Sequence, residues 1–304
     1  MVYGPYLCAF MYYILYGIFY LISLLPLRVL YLISDFAYFI IYHVAGYRRK
    51  VVLQNLAIAF PEKTEQERII IAKKFYRNLT DTFIETIKLV SAGKKFLEKH
   101  FTGDKSLFEK LYVKGKKLQV HLGHNFNWEL ANVAMAEVVS YEMLVVYMPI
   151  NNNAVDRLFK KIRTRTGSVL LPATKMNSSI VPYLQKQYLL VLVADQNPGV
   201  PSKAYWLNFF GRPTPFVKGP EKGAKLNDTA VVFAHFTKSK RGMYEVHLTL
   251  ATEDPRSLKE GELTSIYIKY LENVIREQPE MWLWSHRRWK HEWKPEYGPV
   301  IGEW

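Results

Sequence analysis

The run HLGHNFNWEL (121–130) places two imidazoles, one carboxylate and one indole within ten residues. His124 and Glu129 stand five positions apart, and in one continuous helix they would point about 140° away from each other. They can meet only if His124 sits in a loop and Glu129 one turn into a following helix. That arrangement suits a general base whose far ring nitrogen is held by an acid, and an imidazole titrates near neutral pH. The reading makes His124 a candidate base and Glu129 its orienting acid, with a purely structural histidine–glutamate pair as the alternative that the spacing leaves open. His121 has Phe126 at the same spacing and no acid, so it reads as a structural strand-end histidine. A His-x2-His-x4-Glu series has no recognised metal-ligand spacing, and no further Cys or His run lies nearby. No metal is expected, and Trp128 reads as packing.

A base in a loop needs a rigid strand behind it. KLQVH (117–121) provides one, and loops at the carboxyl ends of strands are where α/β sheets place their chemistry. From residue 116 onward short apolar runs alternate with helical stretches. The runs KLQVHLG, MLVVYM, YLLVLVA, AVVFAHF and MYEVHLTLA predict strands, and 151–166, 175–187, 219–227 and 262–277 predict helices. The alternation indicates an α/β fold with a mostly parallel sheet flanked by helices. Ahead of it, FPEKTEQERIIIAKKFYRNLTDTFIETIKLV (60–90) reads as one amphipathic helix. Thr64 and Glu67 stand at capping-box spacing, and Ala72, Phe75, Leu79, Phe83, Ile87 and Val90 recur on one face.

The first fifty residues differ in kind. From Val2 to Leu27 no side chain is charged, a length that matches a bilayer core. A second apolar stretch, 29–47, is broken by Asp35 and His43 and reads as a re-entrant or interfacial helix rich in tyrosine. Arg48, Arg49 and Lys50 favour a cytoplasmic position for the residues C-terminal to them. The expected organisation is a membrane-anchoring segment over 1–50, with one transmembrane helix, and a catalytic-size domain over 51–304. Forty-one basic against 27 acidic residues leave a charge of +14, which calls for an anionic partner. Cys8 is the only cysteine, so neither a disulfide framework nor a thiolate site can form within the chain. Near the C-terminus, WLWSHRRWKHEWK interleaves Arg287, Arg288, Lys290 and Lys294 with tryptophans, and five of the seven tryptophans fall between 282 and 304. Arginine forks suit phosphate, and tryptophan suits the headgroup level of a bilayer. Nucleic acid is not expected as a partner, because the chain carries no nucleic-acid fold signature.

Taken together, HNFNWE resembles the His-x4-acid motif of glycerolipid-type acyltransferases. Residues 10–294 resemble the late lipid A acyltransferases, the lauroyl and myristoyl transferases of Gram-negative bacteria. YRRKVVLQNLAIAFPE, FKKIRTRTGSVLL, LVADQNPG and PEMWLWSHRRWK follow that family's order. The resemblance implies a glycerolipid-acyltransferase-like fold and O-acyl transfer from an acyl thioester, acyl carrier protein or acyl-CoA. The acceptor would be a hydroxyl of a 3-hydroxyacyl chain on an anionic lipid A precursor. It implies no cofactor and places the protein at the bacterial inner membrane with its active site facing the cytoplasm. Arg163 matches the substrate-side arginine, Asp195 matches the acid of the third block, and Arg287 and Arg288 are candidates for binding phosphate. Asn197 departs from the pattern, which has a second acid there. The departure keeps open a different lipid acceptor, an aminolipid or glycolipid, and a non-catalytic lipid-binding or carrier-docking module stands as the remaining alternative.

Overall fold

The computed structural model describes residues 3–302, the side chains of 3–9 excepted, so the expectations for Val2, Cys8 and Trp304 fall outside it. Helix α1 (Tyr3–Ser23) and α2 (Leu27–Phe39) meet at Pro26, and α2 runs on through a π-helical turn to Val44. Helix α3 (Arg49–Ala59) begins within the basic triplet, and α4 (Glu65–Lys88) follows. The predicted capping box on α4 is formed. The Glu67 amide donates to Thr64 Oγ1, and the Thr64 amide donates to Glu67 Oε2 (2.7 Å). Phe75 and Leu79 enter the core, whereas Phe83 faces outward, 56% exposed.

After α5 (Lys94–His100), β1 (Phe101–Thr102) and α6 (Ser106–Val113) the chain alternates as the apolar runs require. Strand β2 (Leu118–Leu122) leads to α7 (Trp128–Ala136), β3 (Glu142–Tyr147) to α8 (Asn153–Arg163), and β4 (Val169–Pro172) to the single turn α9 (Met176–Ser179). The longer helix expected over 175–187 does not form. Ser178, Ser179 and Pro182 stop it, and short 3-10 turns take its place. Next come β5 (Tyr188–Val193), the hairpin β6 (Tyr205–Phe209) and β7 (Arg212–Phe216), α10 (Gly219–Asn227), β8 (Ala230–Lys240), β9 (Met243–Thr252), α11 (Glu262–Glu277) and β10 (Val300–Ile301). The hairpin escapes sequence patterning because β7 carries Pro213 and Pro215. Both are tolerated there because β7 pairs on one side only.

The main sheet has the order β1-β9-β8-β2-β5-β3-β4 and is parallel except where β9 meets β8. The chain steps one way from β2 to β3 to β4 and back through β5 to β8. Right-handed crossovers therefore put α7 and α8 on one face, and the α9 region and α10 on the other. Gly223 of α10 confirms the second placement: a Cβ there would lie 3.3 Å from Gln119, whose neighbours in β2 point to the opposite side.

The N-terminal helices lie on the α7–α8 side. Helix α1 packs against α8, with Arg157 over Tyr12 (4.0 Å) and Lys161 over Tyr16 (3.9 Å). Helix α2 packs against α4, and its Asp35 pairs with Arg241 at the β8–β9 turn (2.7 Å). Opposite these contacts both helices expose large apolar side chains, among them Phe10, Ile14, Leu21, Leu32 and Phe36. Leu27–Val44 is long and apolar enough to cross a bilayer, with mean hydropathy 1.4.

Candidate active site

Gly123 and His124 follow β2 directly, at the carboxyl edge of the sheet. A Cβ on Gly123 would approach Leu271 Cδ1 to 2.7 Å, Asn125 Oδ1 to 3.1 Å and Asp195 Oδ2 to 3.2 Å, so a larger residue would have to push these side chains aside to let the loop pass so close to the neighbouring strand end. The turn brings the His124 ring onto Asp195, at the end of β5. His124 Nδ1 lies 2.5 Å from Asp195 Oδ1, and the His124 amide donates to Oδ2 (2.7 Å). Trp282 Nε1 also donates to Oδ2 (2.6 Å). Burial pushes the Asp195 carboxyl up, but the imidazole beside it and these donors more than offset that and hold it down at about 2. An ionised acid at Nδ1 fixes the ring proton there and leaves Nε2 as an acceptor. The Gln196 amide nitrogen sits 3.1 Å from that nitrogen.

The spacing assigns the orienting role to Glu129, and the structure corrects this: the carboxylate on the imidazole is Asp195. Glu129 does lie in the helix after the loop, but as the second residue of α7 and not one turn in, and it faces α8. Arg163 clamps it from two nitrogens, Nε at 2.9 Å from Oε2 and Nη2 at 2.5 Å from Oε1. Trp128 Nε1 adds a third donor (3.2 Å). The first turn of α7 is secured by Asn127, whose side chain caps the amides of Glu129 and Leu130. Asn127 is held in turn by the buried Glu85 (2.9 Å), which also accepts from Tyr244 and Tyr31. His121 is a bystander, as expected: it is buried, accepts from the Gln119 amide once that amide is oriented to satisfy both ends, and burial pushes its pKa down to about 3.

The C-terminal element departs from expectation in a consistent way. Trp282 and Trp284 are fully buried, not at a headgroup level. Arg288 is also fully buried: it donates to Asn197 Oδ1 (2.7 Å) and Pro215 O (2.9 Å) and lies 4.1 Å over the Phe216 ring. It is therefore out of reach of a substrate phosphate, which corrects its assignment. Arg287 is exposed, and its backbone carbonyl accepts from Asn197. Asn197 thus serves both arginines at once, donating with its amide nitrogen and accepting with its oxygen, which an aspartate could not do.

Sequence reasoning missed Trp282, Gln196 and Asn55. Asn55 donates to the carbonyls of Trp284 (2.8 Å) and His286 (2.7 Å), and Arg48 donates to Ser285 O (3.0 Å). These bonds tie α3 to the loop that carries Trp282 to Asp195. Only the order of the YRRKVVLQNL and PEMWLWSHRR elements hinted at this link. Asn55→Ala is expected to cost about 1–3 kcal/mol, since it leaves one buried and one part-buried carbonyl short of a donor. Urea unfolding measures the cost, and an unchanged midpoint would refute it.

A cavity of about 1140 Å³ reaches His124, Trp128, Glu129, Arg163 and Gln196 and is lined elsewhere mostly by apolar side chains. Among the described residues no cluster of three or more His, Cys, Asp or Glu side chains forms a metal site. A histidine at a strand end, held by a buried carboxylate, stands at the wall of a large and mostly apolar cavity in an α/β fold. The chain belongs to the bacterial lipid A biosynthesis acyltransferases, whose family model matches residues 5–291. It is similar to the lipid A biosynthesis acyltransferase of Haemophilus influenzae, 24% identical over 249 residues that cover 80% of this chain and 76% of that one. It is also similar to the lipid A biosynthesis palmitoleoyltransferase of Escherichia coli, 21% identical over 245 residues that cover 80% and 79%. The protein is an acyltransferase of this family.

Proposed function

We propose that the protein transfers a fatty acyl chain from an acyl thioester, on acyl carrier protein or CoA, to a hydroxyl of a lipid A precursor at the cytoplasmic face of the inner membrane. The observation that carries the mechanism is His124 held by Asp195 at Nδ1, with Nε2 beside Gln196 and both residues at the cavity wall. Nε2 takes the hydroxyl proton as the oxygen attacks the thioester carbonyl. The carbon–sulfur bond then breaks, and the imidazolium returns its proton to the departing thiolate. Asp195 keeps the productive tautomer and stabilises the imidazolium. The Gln196 amide yields its place at Nε2 to the incoming hydroxyl and, from so close, donates to the developing oxyanion. Arg163, secured by Glu129, presents its charge at the cavity wall to the acceptor's polar groups.

Lipid covers the exposed faces of α1 and α2. Their opposite faces stay on the catalytic body: Tyr12 and Tyr16 of α1 lie under Arg157 and Lys161, and Asp35 of α2 pairs with Arg241, so the contacts fall in the middle of both helices. Those contacts favour side-on insertion into the bilayer over a lone span through lipid. The test is mass spectrometry of lipid A from cells lacking the protein. One ester-linked chain is expected to be missing, restored by wild type and not by His124→Ala. Unchanged lipid A acylation in the deletion strain would overturn the acceptor assignment.

A further inference from the structure

The cavity is not confined to one face of the sheet. In β5 every residue from Leu189 to Val193 lines it, although successive side chains in a strand point to opposite faces. The register separates them. Leu189, Val191 and Val193 lie level with Leu118, Val120 and Leu122 of β2, and Leu190 lies level with Gln119. Packing separates them too. Val191 and Val193 lean on the main core, whereas Leu190 and Leu192 join a second small core with Leu144, Met176 and Ile180. The cavity therefore has two apolar arms. One runs beneath α7, past Ala131 and Met135, and the other runs beneath the α9 turns and α10, past Ile180 and Gly223. They join over the carboxyl end of β5, at His124, Ala194 and Gln196. Each arm follows a strand of about 20 Å. The total of about 1140 Å³ exceeds the roughly 300–1,000 Å³ of a single small-molecule site.

We infer that the cavity holds two acyl chains at once, one on each face of β5, and that their reacting ends meet at His124. The inference rests on the acyl-transfer reading and deepens it: the acceptor must bring its own long chain, and the reactive hydroxyl must lie near that chain's polar end. A second chain in its own arm positions the hydroxyl as the first positions the thioester, turning an encounter of two lipids into a local reaction. A single-chain cavity would leave one of the two apolar arms without an occupant.

Two adjacent residues test it, because Val191 and Leu192 face different arms. In His124→Ala protein, which removes turnover without entering either arm, native mass spectrometry with 1-decanol is expected to show two bound alcohols. Val191→Trp and Leu192→Trp, each added to that background, should each leave one. Saturation at one alcohol in the His124→Ala protein overturns the inference whatever the bulky variants do. In the active protein, Val191→Phe and Leu192→Phe should each shorten the chain preference for a different partner, one for the thioester series and the other for the acceptor series. Both acting on the same partner would overturn the two-chain arrangement and leave the acyl-transfer reading intact. Two bound alcohols with no acyl transfer by the wild-type protein would instead overturn the reaction and leave the two arms standing.

Discussion

Asp195→Asn is expected to lower kcat by roughly 10³–10⁴-fold with little change in KM, the scale of a general base left in the wrong tautomer. The hydrogen bonds around the carboxylate explain why so small a change would matter. Oδ2 accepts from both the His124 amide and Trp282 Nε1, so an asparagine must place its one oxygen there. Its NH2 then replaces Oδ1 opposite His124 Nδ1. Two donors cannot face each other, so the ring proton moves to Nε2 and the nitrogen facing the cavity ceases to be a base. Steady-state kinetics with an acyl thioester and a lipid A precursor would measure this. Activity of Asp195→Asn within ten-fold of wild type, alongside collapse in Glu129→Gln, would return the orienting role to Glu129. The same carboxylate gives an acid-stability signature. Its folded pKa, about 2, lies below the ordinary value of 3.8, so its contribution is complete above that value and is lost as pH falls through about 2. The variant should lose that part of the pH dependence.

The second large effect concerns stability. Removing Arg163 leaves Glu129 buried with Trp128 as its remaining side-chain donor, and breaking a buried ion pair from one side costs about 3–5 kcal/mol. The Arg163 side chain keeps 18% exposure, which places the expected loss toward the lower end of that range. Glu129→Ala strands the guanidinium instead and should cost less, because that side chain can turn to water. The double variant Glu129→Leu/Arg163→Met should recover most of the loss, since neither charge is then left alone. Denaturant midpoints of wild type, Glu129→Leu, Arg163→Met and the double variant form a double-mutant cycle. Strict additivity would show that the clamp is not a coupled pair. Together the two experiments separate the acids, one acting on a proton and the other on the fold.

Much of the scaffold is visible in local pattern. The capping box at Thr64 and Glu67, the five apolar strand runs and the helices over 219–227 and 262–277 are set by neighbours a few residues apart, and they form as predicted. The predicted helix over 175–187 and the unpredicted β6–β7 hairpin show the limit. In the first, serines and a proline break a periodic stretch. In the second, prolines conceal a strand whose pairing partner is supplied by the fold.

The sequence by itself determined that His124 lies in a loop at a strand end, that Glu129 lies in the helix after that loop, and that the sheet behind them is mostly parallel. Periodicity and spacing act within a few residues, and each of these features is local. Tertiary structure decided which acid serves the base. Asp195 is 71 residues from His124, and only the side-by-side pairing of β2 with β5 brings their ends together. It also decided that Glu129 belongs to Arg163, that Arg288 is buried on Asn197, and that Trp282 reaches Asp195 across 87 residues. A carboxylate at the right spacing identifies a candidate; the partner it takes is set by the strand order, which no short window of sequence contains.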